Sequence, residues 1–259
     1  MLNLRTRRAK INYQREHVRL MLKLEKVFVY IFKPILYKQF TNIANKKTFS
    51  DTNINDAIKK ETNKLKSELT KQYKRTGIAF SNRVFNEIFK KEYNNFIVKD
   101  ILKDDAESIF LKVLNKFIKR YVVKKVLQYN KTTKNVIKKI IENGLKNNLT
   151  NKEIAKTLKT KGNIISTYRA TRIAKTETHS ASTFATDESI KATGLVSTKE
   201  WVAALDERTR ESHVAANGQI KNINETFLVG GEELDIPGDP NGSAENVINC
   251  RCVAIYNTK

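Results

Sequence analysis

The residues best suited to bind a soft metal ion are few and lie near the end of the chain: His213, Cys250 and Cys252. Cys250 and Cys252 alternate at i and i+2, so a strand through them would turn both thiols to one face. His213 lies seven residues after Asp206, two turns along a short helix expected from Asp206 to about Ala216. If the end of that helix met the strand, one imidazole and two thiolates would converge. Zinc suits such a set, and a carboxylate such as Asp206 or Asp239 would complete a tetrahedron. The same three residues also read as two buried thiols beside a hydrogen-bonded histidine. A Cys250–Cys252 disulfide would close a strained small ring, so both cysteines are expected as thiols. Of the other histidines, His17 is expected to be solvated on a basic helix, and His179 falls in a later helix.

A second group of polar side chains falls in the segment around Arg169, Arg172, Thr176 and Glu177. Spacings of three, four and eight put them on one side of a helix. With Trp201 and Arg208 they are expected to organise a domain, for example through an ion pair between Glu177 and an arginine of the Asp206–Arg210 segment. No catalytic or cofactor-binding residue is assigned. The chain shows no Ser-His-Asp order, no P-loop and no Rossmann glycine pattern. A metal-dependent nuclease built on Asp206 and His213 is one alternative reading, and a cytoplasmic DNA-binding module is another.

The elements that must position these groups differ along the chain. Residues 1–160 contain only Gly77, Gly144 and Pro34 as breakers, which favours long helices. Met21, Leu24, Phe28, Ile31 and Ile35 recur at helical spacing. So do Val84, Phe85, Ile88 and Phe89 with Phe96 and Ile97. A wide stripe follows through Ile109, Val113, Phe117 and Tyr121, flanked by Phe110, Leu114, Ile118 and Val122, and a shorter one through Ile137, Ile140, Ile141 and Leu145. Thr150 and Glu153 form a capping box that opens a helix expected to stop at Gly162. A second helix is expected from about Asn163 to Lys191. Strands are expected near Val196–Ala203, Glu225–Val229 and Cys250–Tyr256, with a turn-rich loop at Asp235–Gly242 and a helical turn at Ala244–Asn249. The fold class is α+β: a mainly helical basic region over residues 1–146, then a small compact domain with short antiparallel strands over residues 147–259.

Charge follows the same division. The 259 residues carry a formal net charge of +22. Residues 1–160 hold 38 Lys and Arg against 14 Asp and Glu, and residues 161–259 hold 11 against 13. An A/T-rich genome would also raise lysine, but it would do so throughout, and the last hundred residues escape. A basic helical region of this kind suits non-specific contact with the phosphates of double-stranded DNA, and lysine in place of arginine favours point charges over bidentate base readout. The apolar run Val27–Phe32 is too short for a signal peptide core or a membrane span. No membrane insertion is expected, and synthesis is expected to leave the chain in the cytoplasm.

Several segments, taken in order, resemble a known family. They are Arg169-Ala-Thr-Arg-Ile-Ala-Lys-Thr-Glu-Thr178, Lys199-Glu-Trp201, Asp206-Glu-Arg-Thr-Arg-Glu-Ser-His213 with Gly218, Pro237-Gly-Asp-Pro240, and Ile248-Asn-Cys-Arg-Cys252. Residues 147–259 thereby resemble the phage Mu F-like minor head proteins, or head morphogenesis proteins. The resemblance implies a structural, non-enzymatic protein of the virion of a tailed phage or prophage. It implies association with the portal protein and other head proteins, a position inside the capsid near packaged DNA, and a role in assembly or genome delivery. Many members carry a further cysteine where this chain has Arg210 and a histidine before the Cys-x-Cys, which makes a fuller zinc site. Some members are fused to toxin enzymes; with seven residues after Cys252, no C-terminal toxin is expected here.

Overall fold

With few breakers in the first 160 residues, the backbone forms very long helices. The computed structural model describes the backbone of residues 4–92 and 96–258, and the side chains of the same residues apart from 90–102 and 258. Helices α1 (Arg7–Ala44), α2 (Asp51–Glu92), α3 (Phe96–Lys146) and α4 (Asn151–Thr193) come first. Then follow β1 (Val196–Val202), α5 (Glu211–Ala216), β2 (Ile220–Asn222), β3 (Phe227–Val229), β4 (Glu232–Leu234), α6 (Ala244–Val247) and β5 (Val253–Thr258). This is the expected α+β composition. Among the described residues, no helix is long and apolar enough to cross a membrane.

The chain forms two compact units. One comprises Met1–Leu24, Tyr73–Phe117 and Lys175–Lys259; the other comprises Glu25–Gln72 and Ile118–Ala174. The sequence boundary at 146 falls at the end of α3, inside the second unit. Each long helix contributes residues to both units.

In the first unit, β1 is the central strand of a sheet with order β2-β1-β5, antiparallel on both sides. Trp201 of β1 faces Ala254 of β5, and Glu200 faces Ile255. β3 and β4 form a separate hairpin. Val84 and Ile88 of α2 pack with Tyr13, Ile190, Val253, Ile255 and Tyr256 in one core, and Trp201, Phe227, Val229, Leu234, Cys250 and Cys252 form another. Phe96 and Ile97, which periodicity adds to the α2 stripe, lie outside the described side chains. On the wide α3 stripe Phe110, Leu114, Ile118, Tyr121 and Val122 are buried, while Ile109 is 50% exposed.

In the second unit, Phe40, Ile43, Ile54, Ile58, Ile137 and Ile141 form a core with Ile154 and Leu158. Thr150 and Glu153 make the expected capping box: the Thr150 N–H donates to Glu153 Oε2 at 2.8 Å and the Glu153 N–H to Thr150 Oγ1 at 3.3 Å. Gly162, however, does not stop the helix. It lies inside α4, where a Cβ would come within 2.7 Å of Phe40 Cβ and Cγ. The absent side chain permits a close helix approach, which outweighs glycine's poor helix propensity.

Candidate metal centre

The candidate centre lies wholly within the first unit, and it is built by elements that differ in two respects from expectation. Asp206 does not cap a helix over 206–216. Helix α5 begins at Glu211, with Arg210 as its N-cap. Cys250 and Cys252 precede strand β5 rather than alternating within it. Asn249, just before them, takes a left-handed backbone with φ 59°.

The three residues nevertheless meet. His213 Nδ1 and the two Sγ atoms lie within 4.8 Å of one another, all buried. Nδ1 is 3.3 Å from Cys252 Sγ and 3.7 Å from Cys250 Sγ. A tetrahedral zinc with ordinary Zn–N and Zn–S bonds separates such donors by about 3.6 Å, so the spacing suits zinc. The same distances allow S–H···N hydrogen bonds in the metal-free chain. Burial pushes the Cys250 thiol up, but the hydrogen bond with Cys252 and the His179 and His213 rings outweigh it and hold Cys250 well below the usual thiol range. Its hydrogen bond and burial push Cys252 well above that range. One thiolate is thus favoured and the second opposed, the pattern of two thiols sharing one proton.

Asp206 and Asp239 are not part of this group. The Asp206 carboxylate accepts from Thr209 Oγ1 and the Arg208 N–H in its own exposed turn. Asp239 accepts from the Asp235 and Asn241 amides, bracing the turn-rich loop. Three protein donors are present among the described residues, and no described carboxylate supplies the fourth. Asp206 lies in that exposed turn and His213 is buried in α5, and Asp206 is not among the clustered donors.

The shell around the centre is tightly built. The Trp201 ring is fully buried and stands edge-on to His213, with centroids 5.6 Å apart, and edge-on to Phe227 at 5.4 Å. Arg210 donates to the Ile248 carbonyl at 2.6 Å, tying α5 to the cysteine segment. His179, unassigned by sequence, donates from Nε2 to the Cys252 carbonyl at 2.8 Å. Burial lowers its pKa and favours the neutral ring. Its other face meets Gly238, where an added Cβ would sit 2.2 Å from Nδ1. This accounts for glycine in the Pro237–Pro240 segment, where φ is +73°.

The remaining expected residues separate. Arg169 and Arg172 belong to the second unit, where Arg169 donates to Thr133 Oγ1 and the Tyr129 carbonyl and Arg172 lies over the Tyr168 ring. Thr176 and Glu177 belong to the first unit, where Thr176 Oγ1 accepts from the Asn249 N–H and Glu177 from the Tyr73 hydroxyl. The expected partners of Glu177 are engaged elsewhere, Arg210 with Ile248 and Arg208 with Asp206. Arg208 is an exposed turn residue rather than an organiser. His17 is not solvated: it is buried, with Nε2 3.1 Å from the Ser182 hydroxyl. The exposed Arg15 and Arg19 beside it make the segment read as solvated, while Tyr13, Gln14 and His17 are buried. Lys199, to which the sequence reading gives no individual role, is fully buried and donates to the Asp235 carbonyl.

Residues 135–255 match the family described as Phage Mu protein F like protein. The chain is also similar to an NAD(+)–arginine ADP-ribosyltransferase of Enterococcus faecalis, at 34% identity over 90 residues. That alignment covers 34% of this chain and 18% of the enzyme, so the chain spans less than a fifth of the curated relative's length. No solved structure matches the chain.

Proposed function

Through residues 135–255 this chain belongs to the phage Mu protein F-like family, and from that premise we propose that it is a minor head protein of a tailed phage or prophage. It acts in head morphogenesis, inside the capsid beside the portal protein and other head proteins, as a structural component and not an enzyme. Its helices hold packaged double-stranded DNA through the phosphates, without reading sequence, and this contact persists until genome delivery.

The observation that carries the DNA contact is the charge of the second unit. Glu25–Gln72 and Ile118–Ala174 hold 25 Lys and Arg against 7 Asp and Glu, a net of +18 out of +22 for the chain. Its acidic groups are largely withdrawn. Glu25 and Glu61 are buried, Asp51 pairs with Lys138, Glu68 pairs with Lys71, and Glu153 turns back on Thr150. The surface left to solvent is lysine-rich, and lysine neutralises phosphates as a mobile point charge.

His213, Cys250 and Cys252 supply three of the donors of a structural zinc, which would fasten α5 to the cysteine segment. When bound, the ion contributes folding free energy and no reaction.

The test is a salt titration of duplex DNA binding by the full chain, since α4 supplies residues to both units. About six phosphate contacts give a slope of log K against log salt near −5. A flat salt dependence, or no binding at low salt, defeats the DNA reading. Absence of the protein from purified particles by mass spectrometry defeats the head-protein reading.

A further inference from the structure

Leu205 combines two costly features. Its φ is 53°, in the left-handed region that disfavours non-glycine residues, and its apolar side chain is 48% exposed. Strained backbone persists where its position serves a purpose. Leu205 also has apolar company. Val214 is 45% exposed, Ile220 61% and Leu228 59%. The segments bearing them are tied together. The Ala203 N–H donates to Asn217 Oδ1 at 2.9 Å, and the Asn217 N–H donates to the Val214 carbonyl. The Gln219 amide exchanges two hydrogen bonds with the Leu228 backbone, at 2.8 and 3.1 Å.

The stretch of chain that carries these side chains is acidic. Residues 203–235 carry seven Asp and Glu against three Lys and Arg. Asp206 pairs with Arg208, and Arg210 is turned to Ile248, which leaves Glu207, Glu211 and Glu233 exposed without those cations. An acidic, apolar face fits a lysine-rich helix that exposes apolar side chains. This chain itself supplies such helices: Tyr30 is 84% exposed, Ile164 66%, Tyr168 65% and Leu127 63%, among the lysines of the +18 unit.

We propose that the face formed by Leu205, Val214, Ile220 and Leu228 docks on the lysine-rich helices of a second copy of this chain. The contact joins unlike surfaces, so it is heterologous and builds rings or open arrays rather than a two-fold dimer. It does not depend on DNA binding.

Sedimentation equilibrium of the full, nucleic-acid-free chain tests it. Wild type should show a mean mass that rises with concentration and falls with added salt. Leu205→Gly removes the side chain and suits the left-handed backbone, so it should weaken association about tenfold while Tm holds or rises. Leu228→Ser and the pair Glu207→Lys with Glu211→Lys should weaken association similarly, with circular dichroism unchanged. A wild type that stays monomeric at low salt overturns the proposal, as does association that is insensitive to salt. Folded variants that associate like wild type also overturn it.

Discussion

At the residue scale, the convergence of His213, Cys250 and Cys252 makes metal content a direct readout. The purified full chain should hold about one zinc, and His213→Ala or Cys252→Ser should abolish stoichiometric binding and lower Tm. Elemental analysis with thermal melts checks both, and a folded wild type with no metal after zinc reconstitution removes the zinc reading. Gly238 gives a test that does not involve metal. Its positive φ and the 2.2 Å approach to His179 Nδ1 leave no room for a methyl group. Gly238→Ala should destabilise by about 3 kcal/mol or more, combining backbone strain with overpacking, as chemical denaturation would measure. The histidine and cysteines were legible from their types and spacing. The roles of His17, His179 and Lys199 were not, because each depends on a partner far away in sequence.

At the element scale, α4 shows why periodicity has limits. Thr176, Glu177, His179, Ser182, Thr186 and Asp187 are all buried, so no polar face marks the solvent side. Several hydroxyls satisfy themselves within the helix: Thr183 donates to the His179 carbonyl and Thr186 to the Ser182 carbonyl. Such back-bonding satisfies many of the buried hydroxyls, while those of Ser166 and Ser189 in the same helix are buried without a hydrogen-bond partner. The stops differ for a related reason. Gly194 ends α4 with φ +66°, whereas Gly162 is held in the helix by its packing against Phe40. Gly162→Ala gains about 1 kcal/mol of helix propensity but overpacks a buried aromatic at a cost of about 1–3 kcal/mol. The expected net is a loss of up to about 2 kcal/mol in urea denaturation, and a stabilised variant would show that α1 can yield there.

At the scale of the whole molecule, the positive charge collects in one compact unit built from two separate stretches of chain. Lys124, Lys131 and Lys139 are exposed in that unit. The triple variant to glutamine should reduce the salt slope of DNA binding by up to about 3, and should weaken all sequences alike. A fall confined to particular sequences would mean base readout instead. The sequence by itself determined the net charge, the α+β class, the capping box, the metal-ligand types and the family resemblance, because these reside in composition and in spacings of a few residues. Folding in three dimensions settled that α4 serves both units, that His179 and Lys199 are buried on distant carbonyls, and that the excess charge belongs to Glu25–Gln72 with Ile118–Ala174. Those outcomes rest on packing between segments far apart in sequence, and no local pattern of residues encodes such pairings.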